Sequence, residues 1–177
     1  TNIADKFKSE PTFENFYIFI LMNYIPERFY FYPGFHYYDQ LAHRGKLTGT
    51  AKQIDYIRRD ERVHRGLFVN IIKELGVDEV LIAKMLKWAF KQEETWNHKV
   101  YGDKILGMSK KSQTQYAKHL VNELATLLGM SDIYEEVDNP YLHLEQTAKE
   151  GGVRENFFET TVTSYDTAGS IDGWDDL

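Results

Sequence analysis

Apolar residues along 53–75 recur in alternating steps of three and four. Ile54, Ile57, Phe68, Ile71 and Leu75 fall on one stripe, and Glu61 and His64 fill the two steps between Ile57 and Phe68. That period predicts an amphipathic helix with this stripe turned inward. A carboxylate and an imidazole in the middle of such a stripe need a reason, because a buried, unpaired carboxylate is strongly disfavoured. Spaced i, i+3 they share one face, which is how a helix offers an oxygen and a nitrogen to a single metal ion. E-x-x-H by itself is common by chance, and a satisfied core histidine beside a solvated glutamate explains most instances. The preceding helix shifts the balance.

Upstream, a polar lead-in over residues 1–11 ends at Thr12, an N-cap candidate. From Phe13 to about Leu41 the chain is densely aromatic. Phe16, Ile20, Asn23, Glu27, Phe31, Gly34/Phe35 and Tyr38 recur at helical spacing, with one carboxylate, Glu27, inside a core-like stripe. Pro26 and Pro33 lie within it, which predicts one helix kinked or π-bulged near Glu27, with two shorter helices as the alternative. His43 to Lys46 forms a turn, and Thr48 caps the next helix. So short a link packs the two arms antiparallel. Residues 27 and 64 are equidistant from a turn centred between Gly45 and Lys46, so Glu27 and His64 are expected at one level of the hairpin, with Glu61 a turn away.

Downstream, a third helix is expected from about Asp78 to Tyr101, with Ile82, Met85, Leu86, Ala89, Glu93, Trp96 and Val100 inward. A fourth runs from the cap Ser109 to about Leu128, with Tyr116, Leu120, Leu124 and Leu127 inward and Gly129 as the C′ residue. Both read as packing helices, and Glu93 as a structural hydrogen-bond partner. Two regions follow: a helical bundle over 1–130 and an extended, mobile tail over 131–177. The tail's end is acidic, yet Phe157, Phe158, Tyr165 and Trp174 give it anchors, the composition of a segment that folds on binding.

Composition narrows the class. With few Gly and Pro and no alternating strand-like runs, the 177 residues read as all-α. A net charge of −6 without a basic cluster argues against nucleic acid. The absence of cysteine excludes disulfides, thiolate metal sites and Cys nucleophiles. No apolar run reaches the roughly 18 residues that span a bilayer, so no membrane partner is expected and a cytoplasmic location is the default.

Carboxylate-bridged dinuclear sites in four-helix bundles take a Glu from each of two helices and a Glu-x-x-His from each of the other two. This chain supplies one of each, Glu27 and then Glu61 with His64, and contains no second E-x-x-H. The runs YIPERFYFYPGF and QIDYIRRDERVHRGLF resemble the C-terminal half of the small, radical-generating (beta) subunit of class I ribonucleotide reductase. The resemblance continues through Gln92, Glu93 and Trp96, Asn139-Pro140 and the ending NFFETTVTSY…WDDL.

The resemblance implies a ferritin-like helical bundle, here partial, and a dinuclear Fe or Mn centre with half of its ligands in this chain. Glu27, Glu61 and His64 would bind one metal, and Phe31 and Phe35 would line an oxygen pocket. Asp60 and Tyr165 would carry the radical-transfer route, and residues 173–177 would dock on the large catalytic subunit. No further cofactor is implied. The subunit would generate and store the oxidant used by the large subunit to reduce ribonucleotides, and the completed subunit would be a homodimer.

The family's first half, with its other ligands and usual radical tyrosine, is absent here, and Tyr141-Leu142-His143-Leu144 stands where an aromatic usually follows Asn-Pro shortly. The expectation is a subunit divided in two, inactive as this chain alone and completed by an N-terminal half. Two readings compete with it. One is a self-complementing homodimeric storage or oxidase protein, in which two copies supply a full ligand set. The other is a non-catalytic interaction module.

Overall fold

A computed structural model describes residues 3–144 of the chain. Six helices follow in order: α1 (Ile3–Ser9), α2 (Phe13–Tyr24), α3 (Phe31–Ala42), α4 (Thr48–Leu75), α5 (Glu79–Val100) and α6 (Lys110–Leu127). Among the described residues there is no strand, only an isolated bridge between Ile105 and Met108. The polar lead-in contains a short helix: α1 folds back on α2, where the Phe7 ring meets Phe16 and stacks on Phe19 at centroid distances of 5.5 and 5.9 Å.

Local chemistry explains the boundaries. The Thr12 hydroxyl accepts from Asn15 N, Asp78 from Leu81 N, and Ser109 and Ser112 cap each other reciprocally. At the end of α6, Gly129 adopts φ +82 while its N–H and that of Met130 donate to Thr126 and Ala125, closing the last turn with the left-handed residue that glycine tolerates. The cap of α4 differs from expectation: Leu47, at φ 52, holds that position without a side-chain bond, and Thr48 is already helical.

The aromatic run resolves into two helices rather than one bent rod. Residues 25–30 form consecutive turns between α2 and α3. Pro26 has no N–H to continue the ladder, and Phe31 N donates to Pro26 O at 3.4 Å, a five-residue step that widens the chain there. Pro33, three residues into α3, costs nothing because the first N–H groups of a helix lack intrahelical partners.

Helix α4 packs on both α2 and α3, and α5 pairs with α6. One core joins them, with Leu21, Tyr24, Phe29, Ile72, Leu86 and Leu120 essentially sealed. Tyr24 Oη donates to Leu124 O at 2.7 Å, and Tyr17 Oη donates to Gly76 O while accepting from Asp78 N, pinning the α4–α5 link to α2.

The expected inward stripes are displaced by about one residue. On α4 the side turned to the core carries Ala51, Arg58, Arg65, Val69 and Ile72, whereas Ile57 and His64 are exposed. On α2, the turn and α3 the most buried positions are Tyr17, Leu21, Tyr24, Arg28, Tyr32 and Phe35. On α5, Trp96 and Val100 point outward and Asn97 inward. The apolar period identified these helices correctly but mixed two faces: one buried in this chain, and one that no described residue covers. Beyond α6 the chain keeps packing, since Tyr141 and Leu144 join the core. Residues 145–177 lie outside the described residues.

Candidate metal centre

Glu27 sits in the 25–30 turns, where the backbone leaves the helical ladder, and faces the middle of α4. Glu61 and His64 project from that helix on the same side. His64 Nδ1 lies 2.9 Å from Glu61 Oε2 and 3.4 Å from Glu27 Oε2, and one ligand atom from each residue falls within 4.8 Å of the others. This is the level relationship that the hairpin symmetry predicts.

The electrostatics are those of a site short of positive charge. Burial, then the neighbouring Glu61 carboxyl, pushes Glu27 up from 4.5 to about 7, with His64 acting in the opposite direction. His64 is raised, first by its hydrogen bond to Glu61 and then by the nearby carboxylates. Glu27 Oε2 is shielded from solvent and receives no well-formed hydrogen bond. Two carboxylates and an imidazole converging on a point, one oxygen unsatisfied, form a donor set that suits a hard or borderline divalent cation.

Other sequence-predicted residues are arranged less tightly. Phe31 and Phe35 lie on one side of α3 with ring centroids 6.4 Å apart; Phe35 is buried and Phe31 is exposed on the uncovered side. Asp60, beside Glu61, is exposed, with Arg59 Nε 3.8 Å away. Tyr165 and the docking segment 173–177 lie outside the described residues. Glu93 accepts from Asn97 Nδ2 at 3.0 Å, the structural role expected of it, and burial raises it to about 7.

A set of charged residues beneath the site went unread in the sequence. Arg28, next to Glu27, donates through Nε and Nη2 to Glu123 Oε2 at 2.8 and 2.5 Å, and its guanidinium lies 3.8 Å from the Tyr32 ring centroid. Arg65, next to His64, donates to Glu123 Oε1 at 2.8 Å. Arg58 pairs with Asp39 at 2.7 Å and with Asp55. His36, fully buried, meets the Tyr116 hydroxyl at 2.5 Å, with Asp39 3.1 Å from its Nδ1. The inward turn of Arg58 and Arg65 was hidden by the apolar stripe one residue away, and Glu123 lies far along the chain.

Comparisons with known proteins agree with this fold. The family model described as ribonucleotide reductase, small chain, matches residues 2–140. The chain is 31% identical over 183 residues to the ribonucleoside-diphosphate reductase subunit beta of Halalkalibacterium halodurans, covering 98% of this chain and 53% of that protein. Against the subunit beta of Treponema pallidum the identity is 29%, covering 93% and 50%. A solved structure, the ribonucleotide reductase R2 subunit from Clostridium botulinum, superposes with a TM-score of 0.77 at 35% identity over 82% of this chain and 49% of that one. The chain thus spans about half the length of the curated relatives it matches. With its all-helical, ferritin-like architecture, it belongs to the ribonucleotide reductase small-chain family.

Proposed function

We propose that the chain contributes half of the dinuclear metal centre of a ribonucleoside-diphosphate reductase small subunit. The observation that carries this reading is the convergence of Glu27, Glu61 and His64 within 4.8 Å. Glu27 and Glu61 would supply carboxylate oxygens and His64 its Nδ1 to one metal, iron or manganese, since N/O ligands suit both. Such a centre, when bound, supplies the one-electron oxidising power from which a radical is made.

The chain's own residues define the rest. Phe31 and Phe35, with ring centroids 6.4 Å apart on α3, would line an oxygen pocket beside the completed centre. Ile57, Val63 and Leu67 are exposed along the α4 surface beside the ligands, an apolar area that suits packing by further helices. Those helices would bring the second Glu and the second Glu-x-x-His, whether from the same polypeptide or another. Asp60, next to Glu61 and exposed on α4, would meet a ligand they bring, and Tyr165 with residues 173–177 would serve the route to a large subunit.

Native mass spectrometry with metal analysis of the untagged protein from its source tests this. A longer chain or a second polypeptide completing the set, with about two metals per completed subunit, is the expected result. A homo-oligomer of this chain alone carrying metal would replace it with a self-complementing site. Metal-free protein with Glu27, Glu61 and His64 intact would overturn it.

A further inference from the structure

Glu123 of α6 lies outside the ligand set but is tied to it twice. Its Oε2 accepts from Arg28 Nε and Nη2, and its Oε1 accepts from Arg65 Nη1. Arg28 follows Glu27 in sequence and Arg65 follows His64. Each side of the metal-ligand gap is therefore anchored, one residue away, to opposite oxygens of one carboxylate.

The energetics make this more than an incidental ion pair. Arg28 is 7% exposed, and a buried guanidinium must be paired. It lies in the 25–30 turns, where no regular ladder fixes the backbone, so its side-chain anchor sets the direction of the neighbouring Glu27. Arg28 and Arg65 carry like charges and meet at the same place; Glu123 is what converts their repulsion into a bridge. Without its charge the two segments that repel are the ones carrying Glu27 and His64. Fork-shaped guanidinium contacts also fix orientation, not merely distance.

We propose that Glu123 is a positioning residue that, through Arg28 and Arg65, sets the separation of Glu27 and His64. Its consequence for metal affinity rests on the metal reading above; the positioning itself is a property of the metal-free protein.

The test uses the full chain, metal-free and with 15N-labelled histidine rings, as wild type, Glu123→Gln, Arg65→Gln and Asn122→Ala. Asn122 is the control for lost stability: it ties α6 to Ile133 N, Tyr134 N and Tyr134 O and takes no part in the clamp. The His64 ring nitrogens, identified by their loss in His64→Ala, report the contacts with Glu61 and Glu27. They are expected to shift in Glu123→Gln, to shift less in Arg65→Gln, and to stay in place in Asn122→Ala. Unchanged His64 nitrogens in the two clamp variants, or an equal shift in Asn122→Ala, overturn the proposal; Arg65→Gln decides the matter where Glu123→Gln does not fold. Cobalt(II) titration of the same proteins reads the consequence, an affinity about 10–100-fold weaker in Glu123→Gln. Wild type that binds no cobalt removes the metal reading, while the nitrogen shifts still judge the clamp.

Discussion

Glu27 Oε2 and His64 Nδ1 stand 3.4 Å apart, although one belongs to the turns between α2 and α3 and the other to the middle of α4. Neither group gains much from the other in water, and holding a half-neutralised carboxyl beside a second carboxylate costs stability in the metal-free chain. A cation between them reverses that sign. In the completed protein, Glu27→Ala and His64→Ala are each expected to lose most bound metal while keeping the helical circular dichroism. Metal-to-protein ratios by plasma mass spectrometry measure this, and a wild-type ratio in His64→Ala would remove it from the ligand set.

The uncovered side of α4 predicts a separation between folding and assembly. Leu67 is 56% exposed and Ile57 44%. Replacing both with Ser leaves the core untouched, so the melting temperature of this chain is expected to stay within a few degrees. Binding of a hydrophobic dye falls, and the completed metal-bearing assembly weakens by about tenfold or more, as expected for loss of buried apolar anchors. Unchanged assembly in that variant would place the packing surface elsewhere.

Glu93 gives a pH signature away from the metal site. Its ordinary value is 4.5 and burial raises it to about 7, with the Asn97 bond pulling the other way. The folded chain keeps this proton where the unfolded chain has lost it. The stabilising contribution is therefore complete below pH 4.5, declines as pH rises from 4.5 to 7, and is gone above. Glu93→Gln keeps an acceptor for Asn97 and removes the titration. It is expected to be more stable than wild type at pH 8 by on the order of 1–2 kcal/mol, after allowing for screening, and close to wild type at pH 4. Urea unfolding at both pH values measures the difference.

Gly107 adopts φ +87, and an added Cβ would meet the Gln40 side chain, with its Cδ at 2.9 Å and Arg44 Nη2 at 3.0 Å. Both are engaged nearby: Arg44 Nη1 donates to Gln40 Oε1 at 2.8 Å, and Gln40 Nε2 donates to Gly107 O. Gly107→Ala combines backbone strain with displacement of that pair, and a loss of about 1–3 kcal/mol is expected in thermal or urea unfolding.

The sequence made the helices and the convergence of Glu27, Glu61 and His64 legible for a local reason. Helix period, the caps at Thr12, Asp78 and Ser109, and the hairpin symmetry about Gly45 all act within short stretches of chain. The inward faces were harder to read. Arg58 and Arg65 occupy core-facing positions because carboxylates neutralise them, and two of these, Asp39 and Glu123, come from other helices. Exposed Ile57 and Trp96 imitate core residues, because an apolar side chain does not reveal whether its neighbours belong to the same chain. The break at residues 25–30 was visible in Pro26, but the choice between a kink and two helices depended on how the turn packed.

The two faces of α4 have a consequence for descent. Residues that hold the chain together and the proposed metal ligands lie on separate sides of one rod, so substitutions at Glu61 or His64 leave Val69 and Ile72 in place. Under the proposed metal reading, a lineage would lose that chemistry by single changes and keep its shape. Among relatives of this chain, a preserved outline then says nothing about preserved activity, and positions 27, 61 and 64 have to be read individually.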